Sequence, residues 1–291
     1  MKEVAIFEAH ASYVLGLSFT RDGETLISSG MDNVVKLWTV PGWELVRTLE
    51  GHENSVNTLA LAPDEKMLTT GSSDNSVKLW AFPEGRLLQT LQDRKKTVAA
   101  VAFSPDGRWV AAASYGGRVM VWTLAGEEVV GIKASKKNLS SLAFSPDGKT
   151  LATCGLGDEI ALWALPSGER IGTLAGHQVA VGSLRFIHEG RTLVSLGYEG
   201  SIKFWDTESW AEARTVAPEA PGLRGLIFSP DEKTVALTME SKVQLWSLEA
   251  WRLEAELPVS TKVVSGMAFA PAGRWLAIGG ADKKIRMWQL E

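Results

Sequence analysis

Residues 71–80 read GSSDNSVKLW, a polar turn followed by a short apolar segment that ends on Trp80. Apolar and polar residues alternate through Val77, Lys78 and Leu79, which marks a half-buried strand. The same ending recurs along the chain. VVKLW, SVKLW, RVMVW, EIALW, SIKFW, KVQLW and KIRMW close on Trp38, Trp80, Trp122, Trp163, Trp205, Trp246 and Trp288. Successive gaps are 42, 42, 41, 42, 41 and 42 residues, and a fixed period of this size indicates a repeat architecture.

Other elements recur in phase. The turns TRDG, APDE, SPDG, SPDG, IHEG and APAG each start eighteen residues before a repeat tryptophan, and in the sixth unit SPDE starts seventeen before Trp246. Proline followed by Asp and Gly suits a tight turn. The strand before the turn reads like VAAVAF or LSSLAF, and the strand after it like TLISSG or TLATCG. Each unit therefore holds four short strands and no helix. Strands of this length cannot bury both faces alone. Seven four-stranded sheets stacked radially can, and closing the ring protects their edges.

Closure is also legible. The last unit stops at KIRMWQLE, after three strands, while the first residues, EVAIFEAH, match ELVRTLEGH, the fourth strand and loop of the first unit. Residues near 3–8 are therefore expected to pair with residues near 284–290. The expected fold is all-β, a seven-bladed β-propeller with four antiparallel strands per blade, forming one domain over 1–291. Residues 1–9 supply the outer strand of blade 7. The blades fall near 10–51, 52–93, 94–134, 135–176, 177–217, 218–259 and 260–291, and the ring needs no other domain.

Composition excludes several classes. The 291 residues carry a net charge of −4, with 45% hydrophobic and 22% charged residues, enough for a large core. A single cysteine, Cys154, rules out an intramolecular disulfide and gives no sign of an oxidising compartment. No 18-residue apolar run suggests a membrane span. MKEVAIFEAHASYV lacks the apolar run and cleavage site of a signal peptide. The expected address is the cytoplasm. A mildly acidic chain is a poor binder of phosphate backbones.

The period, the GH-like element and the Trp-ended third strand resemble the WD-repeat β-propeller family, over the whole chain. The sequence departs from the family pattern in places. Only Trp205-Asp206 keeps the Trp-Asp pair, and GH occurs only at Gly51-His52 and Gly176-His177, with Ala9-His10 close. The resemblance implies a buried hydrogen-bonded tetrad of carboxylate, imidazole, hydroxyl and indole. Its members would be His10, Ser28, Asp32 and Trp38 in blade 1, and His52, Thr70, Asp74 and Trp80 in blade 2. Blade 5 keeps His177, Ser195 and Trp205, with Glu199 in place of Asp. A His, a hydroxyl and an Asp are also the parts of a hydrolase, but a nucleophile must be exposed beside an oxyanion site. A set repeated between sheets around a ring satisfies polar groups instead.

The tetrad is patchy. Arg94 and Gly116 stand for His and Asp in blade 3, and Ser135 stands for His in blade 4, which keeps Thr153 and a shifted Asp158. Blade 6 has Pro218 or Glu219 for His, and blade 7 has Ser260 and Ile278 but retains Asp282. With four histidines, of which His188 sits in a turn, no cluster has metal-ligand spacing. No metal and no cofactor are expected.

Function must then come from loops. The resemblance places the His and Asp loops on one face, the top, and the SPDG turns on the other. Tyr13, Tyr115 and Tyr198, the three tyrosines, map to the top, and Met31, Leu156 and Met239 take the same pre-Asp position as Tyr115 and Tyr198. Tyrosine and methionine are interface-enriched, although partial burial at the channel mouth would also explain them. Arg94, Lys95, Lys96, Lys136 and Lys137 form a basic arc on the same face, opposite Glu53, Asp74, Glu219 and Glu240. Such an arc suits an acidic or phosphorylated peptide, or is a solvated rim. Nucleic acid is disfavoured, because aromatics and cations are not interleaved. Trp43, Trp109, Trp210, Trp251 and Trp275 map to the bottom, as a second contact surface or as covers over strand ends.

The reading that results is a non-catalytic scaffold or adaptor, a monomeric propeller binding a protein or peptide through its top face. The alternatives are a small-ligand or enzymatic propeller using the central channel, and a structural assembly subunit.

Overall fold

A computed structural model describes residues 1–92, 96–218, 222–239, 241–259 and 263–290, and these form seven four-stranded antiparallel sheets. Blade 2 shows the plan. Its strands Val56–Leu61, Met67–Ser72, Ser76–Ala81 and Leu87–Gln92 pair in chain order from the axis outward. The inner strands Val14–Phe19, Val56–Leu61, Val98–Phe103, Leu139–Phe144, Val181–Ile187, Gly225–Phe228 and Val264–Phe269 touch one another in that order, and the last touches the first. One departure from an all-strand chain is a 3₁₀ turn, His188–Gly190, where IHEG lacks the proline that five of the other six turns have and both His188 and Glu189 are left-handed.

The ring closes through the first strand. Lys2–Glu8 pairs antiparallel with Lys284–Gln289, from Lys2 opposite Gln289 to Glu8 opposite Lys284. It is the outer strand of blade 7, beyond Val264–Phe269 and Trp275–Gly280. Phe7 on this strand reaches Trp38 of blade 1, with ring centroids 5.0 Å apart.

The core lies between sheets. Among the described residues there are seven apolar clusters, one at each interface between neighbouring blades. This arrangement explains the tryptophan period, because each repeat Trp packs against the blade before it. Trp38 packs on Ala277 and Met287 of blade 7, Trp80 on Leu37 and Leu49 of blade 1, and Trp205 on Leu162 and Leu174 of blade 4. Removing about 150–250 Å² of tryptophan surface from water is worth on the order of 4–6 kcal/mol at about 25 cal/mol per Å². Second strands such as Trp109–Ser114 are buried from their second residue on, since both faces meet another sheet. Outer strands expose residues such as Leu45, Val46, Leu87 and Leu88.

Polar side chains stitch the inner strands together. Ser265 donates to the Val14 carbonyl, Asn57 to that of Val98 and Ser140 to that of Val181, each reaching the next blade. At the bottom turns Thr20, Ser104, Ser145 and Ser229 donate to Asp22, Asp106, Asp147 and Asp231 at 2.6 Å. The residue after each Asp turn is left-handed. In blades 2 and 6 it is not glycine but Glu65 (φ 57°) and Glu232 (φ 55°). Left-handed backbone costs a non-glycine residue about 1–2 kcal/mol. Here each glutamate accepts an amide of the preceding blade's turn, Glu65 from Arg21 and Glu232 from His188.

The five bottom tryptophans are half-buried and cover strand ends. Trp43 meets Trp275 edge-on at 5.8 Å, Trp251 stacks on Trp246 at 5.5 Å, and Arg108 lies over Trp109 at 5.4 Å.

Candidate functional site

The loops of the top face are held by what lies beneath them. In blade 2, His52 Nδ1 is 2.7 Å from Asp74 and its Nε2 is 2.7 Å from the Thr70 hydroxyl, which accepts the Trp80 indole N–H at 2.9 Å. Blade 1 repeats this with His10, Asp32, Ser28 and Trp38 at 2.8, 2.8 and 2.9 Å. In blade 5, His177 bonds Glu199 and, at 2.7 Å, Ser195, which accepts from Trp205 at 2.8 Å. All three imidazoles and all three hydroxyls are buried. Asp32 also accepts the amide of Ala11, and Asp74 that of Glu53, so each carboxylate ties the loop into its blade to the loop between its strands.

Burial sets the charge states. It lowers the pKa of His10 and His52 below the usual imidazole value, against the pull of Asp32 and Asp74. Desolvation would raise the Asp74 carboxyl, but hydrogen bonds from Ser76 and His52 outweigh it and hold it at about 2. Lodged between sheets and with both nitrogens engaged, the three imidazoles are placed to brace the blades.

The other blades lose parts of the set. Ala112, Ala236 and Ile278 stand ten residues before Trp122, Trp246 and Trp288, so the tetrad position of those blades carries no hydroxyl. Trp246 donates instead to Gln244 at 3.0 Å, and Trp288 Nε1 has no partner among the described residues. Blade 7 buries the Arg286 guanidinium, which bonds Asp282. Blade 4 keeps Trp163 donating to Thr153 at 2.9 Å. Asp206, the one family-type Asp after a repeat Trp, accepts the amide and hydroxyl of Ser209 and so caps a bottom turn.

Above the tetrads, the pre-Asp residues are pinned by their backbones. Met31 N–H donates to Tyr13 O, Tyr115 to Thr97, Leu156 to Asn138 and Tyr198 to Ala180, all at 2.8–2.9 Å. With the amide turned inward, the side chain points out. Tyr13, Met31, Tyr115, Leu156 and Tyr198 are each between 42% and 52% exposed. Tyr198 lies against Gly182, where even a Cβ would come within 2.7 Å of its ring. Burial raises the Tyr198 pKa, and Cys154 and Tyr115 add to the rise.

Met239 differs. It is 4% exposed and ends the second strand of blade 6, opposite Lys242. Counted back from Trp246 it matches Tyr198, but counted along its strand it matches Gly197. The residue missing from this unit is lost from the loop, so Met239 stays in the sheet and offers no surface.

Of the basic arc, Lys96, Lys136 and Lys137 are exposed in the loops entering blades 3 and 4. The Lys96 stem lies alongside Gly116. Arg94 and Lys95, and the acidic Glu219 and Glu240, lie outside the described residues, as does Ser260.

The channel is lined by arginines that the sequence reading missed. Arg224 lines its upper part with Asn57, Ser183 and Ser265, around a cavity of about 330 Å³. Arg185 lines a lower cavity of about 910 Å³. Ser18, Ala60, Ala102, Ala143, Ile227 and Ala268 hold the Arg185 position in the other blades. That one long cation among small and apolar residues was visible once the inner strands were aligned. Its side chain is exposed within the channel, where desolvation by the surrounding blades lowers its pKa against the charge of Glu232. Among the described residues no group of three or more His, Cys, Asp or Glu is placed to hold a metal, and no helix is long and apolar enough to cross a membrane.

No curated protein matches the chain. Residues 251–289 match the family described as WD domain, G-beta repeat. Residues 13–210 match the family described as IFT122 first beta-propeller. That match spans well over half of a chain whose seven blades run in one ring, so the protein is a WD-repeat propeller that belongs to the IFT122 first beta-propeller family.

Proposed function

We propose that this propeller is a non-catalytic scaffold that binds a protein or peptide on its top face. WD-repeat propellers generally act as protein-interaction scaffolds. The observation that carries the reading is the set of five exposed side chains, Tyr13, Met31, Tyr115, Leu156 and Tyr198, on loops with pinned amides. Monomeric proteins scatter single apolar residues over their surface, whereas Met31, Tyr115, Leu156 and Tyr198 at equivalent positions, with Tyr13 beside Met31, mark a contact site on one face. Loops already held in place lose little entropy on binding. Lys96, Lys136 and Lys137, with Arg94 and Lys95 in sequence beside them, favour a partner segment that is acidic or phosphorylated. A cytoplasmic setting suits a chain whose one thiol, Cys154, is buried and pushed up to about 12 by desolvation.

The experiment is a pull-down with Tyr115→Ala and Tyr198→Ala combined. Loss of partners from a folded variant supports the top face. Recovery of every partner at the original level overturns it and turns attention to the bottom tryptophans. Turnover in a hydrolase panel, or stoichiometric metal, would favour the channel instead.

A further inference from the structure

Four blades carry a hydroxyl ten residues before the repeat tryptophan: Ser28, Thr70, Thr153 and Ser195. In three of them it bonds an imidazole as well as the indole. In the fourth, Thr153 accepts from Trp163 at 2.9 Å, but its own proton reaches nothing nearer than the Ala161 carbonyl at 3.5 Å. That distance is the outer limit of a hydrogen bond. Thr153 is buried, so its proton is left with this one long contact inside blade 4.

Beside it is a cavity of about 220 Å³, lined by Ser135, Leu139, Thr153, Gly155, Asp158 and Ala161. Carried back to blade 1 by the repeat, these are the positions of His10, Val14, Ser28, Gly30, Asn33 and Lys36. The space is thus the one that an imidazole fills elsewhere, enlarged because Ala161 stands where Lys36 and Lys78 extend their stems. Ser135 does not close it, since its hydroxyl is turned to accept the Lys137 amide at 2.9 Å. A volume of this size takes a five-membered ring with room for water, at about 30 Å³ per water. The mouth opens beside Lys136, Lys137, Asp158 and Glu159, next to exposed Leu156 on the top face.

We infer that this cavity is a binding site for one imidazole ring, which would accept from Thr153 and donate toward Asp158. Resting on the top-face reading, the natural carrier of the ring is a histidine of the docking segment, and the cavity supplies the buried anchor that such interfaces need. Three complete copies in the same molecule show the geometry that the ring would complete.

The reporter is the Trp163 indole N–H, followed by ¹H–¹⁵N NMR while imidazole is added. A five-atom ligand with two hydrogen bonds should saturate with a Kd of about 1–10 mM. Pyrrole has the same shape without an acceptor nitrogen and should bind at least tenfold more weakly, as should imidazole to Thr153→Val. Ser135→His places the ring covalently, so it should abolish the response and move the indole signal toward that of Trp205. No saturable shift of Trp163 in the unaltered protein, or an equal shift in Ser135→His, overturns the site. N-acetyl-histidine methylamide should compete with imidazole at the same resonance, and failure to compete removes the peptide as the source of the ring. The titration needs no partner, so its failure and the failure of the pull-down are separate results.

Discussion

Replacing His52 with Ala tests whether the buried tetrads brace the propeller. The imidazole makes two bonds of 2.7 Å, to Asp74 and Thr70, and meets Trp80 edge-on at 6.2 Å. Its loss leaves one orphan, the buried Thr70 proton, in the state that Thr153 shows in blade 4. Asp74 keeps Ser76 N–H and hydroxyl and the Glu53 amide, and Thr70 keeps the Trp80 indole. The cost is therefore two net hydrogen bonds, about 1 kcal/mol each, plus the packing of a buried ring, about 1 kcal/mol more. A total of about 3 kcal/mol, set against an unfolding entropy of about 2.1 cal/mol/K per residue over a chain of this length, lowers Tm by about 5 °C. Scanning calorimetry reads this directly, with far-UV circular dichroism to confirm the fold. His188→Ala, an exposed histidine in a bottom turn, is the control and should shift Tm by less than about 1 °C. A His52→Ala shift as small as the control's would refute the bracing role.

Acid should destabilise the protein in two windows. Folded His10 and His52 have pKa values below 6.5, so as pH falls through 6.5 the unfolded chain takes up protons first and stability drops. Asp74, held at about 2 when folded, adds a second loss as pH falls from about 4 towards 2, and a Tm that stayed flat from pH 7 to 3 would contradict both. Deleting residues 1–8 strips the outer strand from blade 7 and exposes the edge of Lys284–Gln289. The expected result is self-association by edge pairing, seen by size-exclusion chromatography with light scattering; a stable monomer of unchanged Tm would argue that the pairing is dispensable. Amide exchange should be faster in blades 3 and 6 than in blades 1 and 2. Blades 3 and 6 put Ala112 and Ala236 where blades 1 and 2 have a tetrad hydroxyl, and equal protection in all four would be the contrary outcome.

The fold was legible because it is written seven times. One SVKLW is a strand of uncertain place, but seven in phase fix the blades, and the match of EVAIFE to ELVRTLE fixes how the ring closes. The tetrads were legible for a related reason: His, hydroxyl and Asp keep constant spacing because each sits at a fixed point of one sheet. What the sequence reading missed lies where a unit departs from the pattern. Met239 was aligned from the wrong side of a deletion, and only strand pairing shows which side lost the residue. Arg286 fills space in a blade without a tetrad histidine, from the strand position that holds Lys36, Lys78 and Lys203 in the three blades that keep one, so a substitution in one element is answered from another. The blade 4 cavity is two absences superposed, a ring missing at Ser135 and a stem missing at Ala161, and neither alone would leave room.

The pairing of Lys2–Glu8 with Lys284–Gln289 also dictates the order of assembly on the ribosome. At about 5–20 residues per second, the partner of the first strand is made on the order of tens of seconds after it. Until then Trp38 faces solvent, because the surface that buries it belongs to blade 7. The nascent chain must therefore carry an open, sticky flank while all seven blades are made, so translation speed and chaperone supply should govern the yield of the folded ring.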